Sequence, residues 1–502
     1  MAATLSSALK WWSLETPETT AIRVGDESVS YGEFDGWVSA VAAHLVGQGL
    51  EAGDRIGTLG GTSLPHCAVL LGAIRAGMIA SPLSTRLSTR ETSEFYERVQ
   101  PRIVFTDADQ AGKHASLEAL GCRIEPMSSI VGLRQTEAPR FERDLEPDDA
   151  VGIIATSGST ARPKGVVYSH RSMLGYAAEF VMGEPFAGAG ARALVLPPLS
   201  TSAGFVQLAQ FTSLGATIHF EAGFDADRAL MLLEREKINA FMGVPLFFER
   251  IAAAPGFANA DLSSLSFTSV GGARVPRSLL DAWMTKGCLL RQIYGQTEAG
   301  GAVTVMSKRD AIEQPDKAGR GGIFTEVRTI DADGNFLGPD ELGEIVLRGP
   351  SIMKGYWNDP EATAKTLVNG WLRTGDLGRV DKDGYLSFVD RMKDIIISGG
   401  LNISAAEVER VVAEYQGVLE VAVIGAADAK FGETPLAIVY AENGLEVARV
   451  IEHCNQHLAD YKVPRYLVVE SEPLPRLATG KIAKPALRAR FEPLIPELPR
   501  VR

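Results

Sequence analysis

The ten residues Thr156-Ser157-Gly158-Ser159-Thr160-Ala161-Arg162-Pro163-Lys164-Gly165 crowd hydroxyls, glycines and one lysine into a single short stretch. Small side chains let backbone N–H groups approach an anion closely, hydroxyls add donors, and a lysine adds a mobile positive charge. Together these make a cradle for phosphate. A solvated loop rich in serine, threonine and glycine has the same composition, so composition alone leaves both readings open. The pattern G-x-x-x-x-G-K-[ST] is not met, because Lys164 is followed by Gly165 and not by a hydroxyl. An ordinary P-loop NTPase is thereby excluded.

Five further stretches hold residue types suited to the same chemistry. Tyr294-Gly295-Gln296-Thr297-Glu298 follows the apolar Leu289, Leu290 and Ile293, which puts Glu298 beyond the carboxyl end of a strand, where ligands gather in open α/β sheets. A carboxylate there can hold Mg²⁺, although a lone glutamate is more often a surface group. Gly271-Gly272-Ala273 ends the apolar strand Leu265–Val270 without bulk, which permits close approach of a planar ligand or simply a tight turn. Trp371-Leu372-Arg373-Thr374-Gly375-Asp376 offers an exposed carboxylate able to accept both hydroxyls of a ribose without a metal. Ile397-Ser398-Gly399-Gly400-Leu401-Asn402-Ile403 and Pro475-Arg476-Leu477-Ala478-Thr479-Gly480-Lys481-Ile482 complete the set. The glycine pair reads as a strand-to-helix turn with Ser404 as N-cap, past which an extended thiol arm could also run. Lys481 by itself reads as a solvated surface charge.

Taken together, these blocks resemble the adenylate-forming superfamily of acyl-CoA and aryl-CoA synthetases, peptide-synthetase adenylation domains and beetle luciferases. Its phosphate loop usually reads T-S-G-T-T-G-x-P-K-G, which this chain matches except at Ser159 and Ala161, and Y-G-x-T-E and G-W-x-x-T-G-D are its signatures. The resemblance covers nearly the whole chain, with the blocks in family order and spacing. It implies that Thr156, Ser157, Gly158, Ser159, Thr160 and Lys164 hold phosphates, with Thr156 joining Glu298 at Mg²⁺. It further implies that Gly272 and Ala273 face adenine, that Tyr294 stacks on it beside Gly295, and that Thr297 touches the α-phosphate. Asp376 is implied to hold the ribose, Arg391 the ribose or phosphate, and Lys393, within Asp390-Arg391-Met392-Lys393-Asp394, to be the hinge. Gly399 and Gly400 would serve the thiol half-reaction. Lys481 would reach the active site and offset charge between carboxylate and α-phosphate, so Lys481, Glu298 and Thr156 are the candidate catalytic residues.

The implied reaction is ATP-dependent activation of a carboxylic acid to an acyl adenylate, then transfer to coenzyme A, with an amine as the alternative acceptor. ATP, Mg²⁺ and coenzyme A are the expected cofactors and co-substrates. At Pro197-Pro198-Leu199-Ser200-Thr201-Ser202-Ala203-Gly204-Phe205 many relatives carry P-L-[FY]-H-x-x-G, and Thr201 takes the histidine position. Gly300 and Gly301 likewise replace bulkier residues. With Tyr176, Phe180, Ser202, Phe205 and Gly271, these positions suggest a roomy, uncharged pocket for an aromatic, cyclic or medium-chain acid. No aspartate stands in that stretch to hold an α-amino group, which disfavours an amino acid. A peptide-synthetase adenylation domain is disfavoured because no carrier domain follows Arg502, and a non-catalytic scaffold because Lys481 and Glu298 are both present.

The elements that must position these residues alternate in type. Helical spacing of Val38, Val41, Ala42 and Leu45, the strand Asp54–Leu59, a helix from Pro65 to Ala76 and the strand Ile103–Thr106 argue for a mostly parallel, doubly wound sheet. The phosphate loop lies between two apolar runs, Val151–Ala155 and Val166–Tyr168, read as short buried strands. Strands at 193–196, 217–220, 240–245 and 265–270 continue the alternation, and the pattern turns β-rich after Gly343. A last unit of about 110 residues is the size of a small independent domain. The expected class is therefore α/β: an N-terminal domain over 1–390 with doubly wound sheets and a β-rich subdomain, a hinge at 391–393, and a small, mobile α+β domain over 394–502.

With 502 residues, 45% hydrophobic and 22% charged, the chain has the composition of a globular protein. A net charge of -12 argues against a nucleic-acid partner. Cys67, Cys122, Cys288 and Cys454 form no CxxC pair, which suits a reducing cytoplasm and disfavours structural zinc. Neither a signal peptide nor a run of roughly 18 uncharged apolar residues is present, so no membrane span is expected. Oligomeric state is left open, a homodimer included.

Overall fold

The structure is a computed structural model that describes residues 3–135, 140–156, 163–273, 275–441, 444–477 and 481–502. Two compact units divide the chain: Met1–Val327 with Leu347–Arg373, and Arg328–Val346 with Thr374–Arg502. The fold is mixed α/β, with a large N-terminal part built on sheets, a β-rich part and a small C-terminal part.

Local sequence explains how the first unit starts. Ser30 caps the helix Tyr31–Gly47 and Glu33 returns a bond to its backbone, a reciprocal pair that satisfies two otherwise orphan donors. Ser63 caps the next helix, Leu64–Arg75. The two helices pack so closely that a Cβ on Gly72 would lie 2.5 Å from Val41. The helix Tyr31–Gly47 is buried on more than the expected single face, with Phe34, Asp35, Trp37 and Ser39 also inside. Asp35 survives there because Arg75 reaches it at 2.6 Å and also bonds Ser39.

Two seven-stranded sheets carry the unit. One runs, in spatial order, Leu290–Ile293, Phe267–Gly271, Ala240–Gly243, Arg192–Val195, Thr217–Phe220, Thr20–Val24 and Glu27–Ser30, parallel until the last strand. The other runs Gly355–Tyr356, Gly165–Ser169, Ala150–Ala155, Ile79–Pro82, Arg55–Leu59, Ile103–Thr106 and Arg123–Pro126. In this second sheet Gly165–Ser169 is antiparallel to both of its neighbours, Gly355–Tyr356 and Ala150–Ala155. The helix Ser202–Leu214 has every residue from Gly204 to Thr212 buried. Phe205 lies against Gly152 of one sheet, while Phe211 meets Phe180, whose ring packs on Phe267 of the other.

In the second unit, Leu386–Arg391 pairs with the strand Trp371–Val380, Asp376 standing opposite Arg391. A further sheet has the order Leu401–Ser404, Ile395–Ser398, Gly432–Ala441 and Val418–Asp428, with Tyr466–Glu470 pairing on Gly432–Ala441. Apolar cores cover both of its faces, one around Val411, Val439 and Val450, the other around Ile438, Leu487 and Phe491. Lys393 sits in a single turn, Met392–Asp394, between two strands. Among the described residues no helix is long and apolar enough to cross a membrane.

Candidate active site

The strands Ala150–Ala155 and Gly165–Ser169 pair antiparallel with Ala155 opposite Gly165, and the Thr156 N–H donates to the Lys164 carbonyl at 2.8 Å. Thr156 and Lys164 therefore face each other across the mouth of a hairpin, as the flanking apolar runs require. Ser157, Gly158, Ser159 and Thr160 lie outside the described residues.

Tyr294 stands after the strand Leu290–Ile293, as expected, and leads into a tight hairpin. Gly295–Gln296 pairs with Gly301–Ala302 across the turn Thr297–Ala299. A Cβ on Gly295 would lie 1.9 Å from the Gly301 carbonyl, so this pairing exists only with glycine there. Gly300 has φ +79 and would put a Cβ 2.5 Å from the Ser351 carbonyl, and Gly301 has φ +118. Both positions demand glycine for backbone reasons, so their lack of side chains does not measure pocket width.

Two tyrosines hold this turn. The Tyr168 hydroxyl donates to the Thr297 carbonyl at 2.7 Å and shares a 2.8 Å bond with Ser202. Burial pushes its phenol far above the ordinary range, so it remains a neutral donor. The Tyr356 hydroxyl donates to Glu298 Oε1 at 2.9 Å, and the Lys164 ammonium lies 4.5 Å from the centre of the Tyr356 ring. Lys164, Tyr356 and Glu298 thus form one continuous cluster. Sequence pattern singles out neither tyrosine: Tyr168 looks like the end of an apolar strand, and Gly355–Tyr356 is a two-residue strand with almost no pattern to detect.

The donors suit a hard divalent cation carried mainly on phosphates. One Glu298 oxygen accepts from Tyr356, and the other has no protein partner among the described residues. No group of three His, Cys, Asp or Glu side chains forms a metal cage among those residues. Glu298, with Thr156, could therefore supply only a few oxygen ligands to Mg²⁺.

Among the proposed pocket residues, Tyr176 and Gly301 meet: a Cβ at Gly301 would lie 3.8 Å from the Tyr176 ring, and Tyr176 bonds to the Ala302 backbone. Ser202 joins through Tyr168. Thr201 is the N-cap of Ser202–Leu214, accepting from Gly204 N–H and donating to the Pro198 carbonyl, so its hydroxyl is committed to the backbone. Phe205 is buried under Tyr168, their rings 6.3 Å apart, and Phe180 packs edge-on against Phe211 and Phe267. Gly271 leaves room for the neighbouring strand, since a Cβ would lie 2.5 Å from the Ile293 carbonyl. Gly272 and Ala273 are exposed beside it, Gly272 at φ +79.

The second unit gathers its own group. Asp376 lies 3.7 Å from Arg391 and is buried, not exposed as its T-G-D context suggested, because it sits inside a ten-residue strand. The Lys481 carbonyl accepts from the Leu477 N–H at 2.7 Å. Burial, then the positive charge of Arg391, pull the Lys481 ammonium from 10.5 down to about 8, with Asp376 opposing and Lys393 adding to the effect. Gly399 and Gly400, at φ +58 and +81, form the two-residue turn of a hairpin between Ile395–Ser398 and Leu401–Ser404. That geometry explains the glycine pair better than a strand-to-helix turn, although Ser404 does cap the next helix, accepting from Glu407 N–H.

The AMP-binding enzyme family matches residues 9–357, and the AMP-binding enzyme C-terminal domain matches residues 407–481. The chain belongs to the AMP-binding enzyme family. Within it, the chain is 36% identical over 479 residues to a feruloyl-CoA synthase from an Amycolatopsis species, covering 95% of this chain and 96% of that protein. It is 33% identical over 484 residues to the long-chain-fatty-acid–CoA ligase FadD13 of Mycobacterium tuberculosis, covering 94% and 95%. Its fold matches that of O-succinylbenzoate coenzyme A synthetase (MenE) from Bacillus subtilis in complex with ATP and magnesium ion, with a TM-score of 0.88, 27% identity and coverage of 96% and 99%. The blocks read from this sequence, from Thr156 to Lys481, fall within or between the two family matches.

Proposed function

We propose that this chain is an AMP-forming acid–thiol ligase that converts a carboxylic acid, through an acyl adenylate, into its coenzyme A thioester. One observation carries the reading. The two family matches cover residues 9–357 and 407–481, and the residues the reading needs lie together within each unit: Thr156 and Lys164 linked to Glu298 through Tyr356, and Lys481 beside Asp376 and Arg391. Both curated relatives are CoA synthases or ligases by name, which favours a thiol over an amine as acceptor.

In the first half-reaction a carboxylate oxygen attacks the α-phosphorus of ATP, an O–P bond forms and pyrophosphate leaves. Lys164, the Ser157, Ser159 and Thr160 hydroxyls and the Gly158 backbone hold the outgoing phosphates. Tyr294 stacks on adenine along Gly272 and Ala273, Thr297 meets the α-phosphate, and Asp376 with Arg391 holds the ribose. Glu298 and Thr156 would hold Mg²⁺, which would neutralise phosphate charge when bound. Lys481 places its ammonium between carboxylate and α-phosphate, so the chain contributes chiefly position and charge.

In the second half-reaction the thiol sulfur attacks the acyl carbon, a C–S bond forms, the C–O bond to AMP breaks, and AMP leaves. Lys393, at the hinge 391–393 between 1–390 and 394–502, changes backbone conformation between the two steps and brings the Gly399–Gly400 turn to the thiol. The acid is aromatic, cyclic or of medium chain length, housed by Tyr176, Phe180, Thr201, Ser202, Phe205, Gly271, Gly300 and Gly301. The reading is tested by incubating the protein with ATP, Mg²⁺ and a panel of acids, with coenzyme A, an amine or neither. Pyrophosphate release that depends on acid, followed by thioester only with coenzyme A, is the expected result. Amide without thioester would assign the other acceptor.

A further inference from the structure

Tyr356 joins two groups that come from distant parts of the first unit's sequence. Its hydroxyl donates to Glu298 Oε1 at 2.9 Å while its ring lies under the Lys164 ammonium at 4.5 Å. The residue is itself firmly held. Its strand pairs with Gly165–Ser169, Tyr356 opposite Val166 and Gly355 opposite Val167, and the Trp357 N–H donates to the Gly165 carbonyl at 2.8 Å. The Tyr356 N–H donates to Thr363 Oγ1 at 2.9 Å, and its hydroxyl also bonds to Thr366 on the same short helix, Pro360–Thr366. Gly355, at φ +147, admits this helix, because a Cβ there would lie 2.7 Å from Thr363. The helix is anchored in turn, with Asp359 accepting from Ala362 N–H at 2.9 Å.

We propose that Tyr356 is a positioning residue for adenylation, fixing one oxygen of Glu298 so that the other faces the metal and holding the Lys164 ammonium over its ring at the mouth of the phosphate loop. A carboxylate with one oxygen tied to a neutral donor has a single remaining orientation for the cation, which reduces what must be ordered when the nucleotide binds. The ring offers an attractive surface to a cation that otherwise must choose among many rotamers. Two separate groups that touch phosphate charge are thereby set by one side chain. A purely structural tyrosine packed at a sheet edge predicts no link between its hydroxyl and metal dependence.

The inference rests on the ligase reading above, and the test separates the two. ATP binding is titrated calorimetrically in the absence of acid, at a series of Mg²⁺ concentrations, for the parent, Tyr356→Phe, Glu298→Gln and the double variant. In Tyr356→Phe the Mg²⁺ needed for half-maximal ATP binding is expected to rise about tenfold, the worth of one hydrogen bond to a charged group, with coenzyme A binding unchanged. In the Glu298→Gln background the same substitution is expected to change Mg²⁺ dependence less than about twofold, since the bond it removes matters chiefly to a charged carboxylate. Tyr356→Leu, which also removes the ring, is expected to weaken ATP binding at saturating Mg²⁺ as well. Parental Mg²⁺ dependence in Tyr356→Phe overturns the proposal. So does an equal shift in both backgrounds, or a lowered melting temperature with no change in the Mg²⁺ titration. A parent that binds ATP yet releases no pyrophosphate with any acid overturns the ligase reading instead and leaves the metal titration to judge Tyr356.

Discussion

An ammonium partly withdrawn from water beside two other cations surrenders its proton more readily than a free lysine. Lys481 is in that position: burial first, then Arg391 and Lys393, lower its pKa to about 8 against the opposing pull of Asp376. If the charged form is the one that offsets the developing phosphate charge, adenylation needs Lys481 protonated. The kcat/KM for pyrophosphate formation, which reports the free enzyme, should therefore hold below pH 8 and fall about tenfold per pH unit well above it. Lys481→Arg should move that limb upward, because a guanidinium stays charged, and a limb that stayed in place would assign it to another group. Lys481→Ala should remove adenylation yet spare thioester formation from a supplied acyl adenylate. At this scale the sequence showed which side chains cluster by chemistry but not how they are held. Asp376 looked exposed beside a glycine, and only its strand pairing buries it. Tyr168 and Tyr356 were hidden because a hydroxyl at the end of an apolar run gives no periodic signal, yet each donates to the Thr297–Glu298 turn.

The helix Tyr31–Gly47 was legible from the apolar spacing of Val38, Val41, Ala42 and Leu45, but the polar group buried within it was not. Asp35 is 1% exposed and answered by Arg75. Asp35→Ala should destabilise the protein by about 3–5 kcal/mol, since Arg75 would be left as an uncompensated buried charge. Denaturant unfolding with an unchanged slope and a lowered midpoint is the expected signature, and a loss below about 1 kcal/mol would show that Arg75 finds water or another partner. The turn Met392–Asp394 makes a different demand. A hinge must change φ and ψ between catalytic states, and proline locks φ. Lys393→Pro should accordingly slow thioester formation from a supplied adenylate at least about tenfold more than it slows adenylation, as read by single-turnover mixing. Equal rates for variant and parent in the second step would remove the hinge from that turn. Gly300 and Gly301 carry the lesson in reverse: absent side chains suggested space, whereas positive φ and the nearby Ser351 carbonyl require glycine there.

At the scale of the molecule, alternating strands and helices announced parallel sheets, but not which strands meet. Ile22 pairs with Ile218, far along the first unit, and nothing in either strand's sequence names the other. The acyl pocket proposed above would be a product of such long-range meetings, which is why its walls were the least legible part of the site. Tyr176 nonetheless meets Gly301, and Ser202 is tied through Tyr168 to the Thr297–Glu298 turn, so the helices His170–Gly183 and Ser202–Leu214 both reach the hairpin that carries Glu298. Neither the stretch 197–205 nor Tyr176 offers a fixed charge to a substrate. An acid with a large apolar body should then bind better than acetate, since each missing CH₂ forfeits ~0.8 kcal/mol of burial, or about fourfold in kcat/KM per group. Substitution at Gly300 cannot test this, because any side chain there strains the turn before it fills the pocket. Tyr176→Ala can, because Tyr176 lies within the helix His170–Gly183 and its replacement removes a wall without placing a side chain on a positive-φ backbone. Across a graded series of aromatic, cyclic and straight-chain acids, the parent should prefer the larger members, and Tyr176→Ala should lose most on mid-sized acids while sparing or improving the bulkiest. Acetate as the parent's best substrate would refute a roomy apolar pocket, and an unchanged size profile in Tyr176→Ala would place its wall elsewhere.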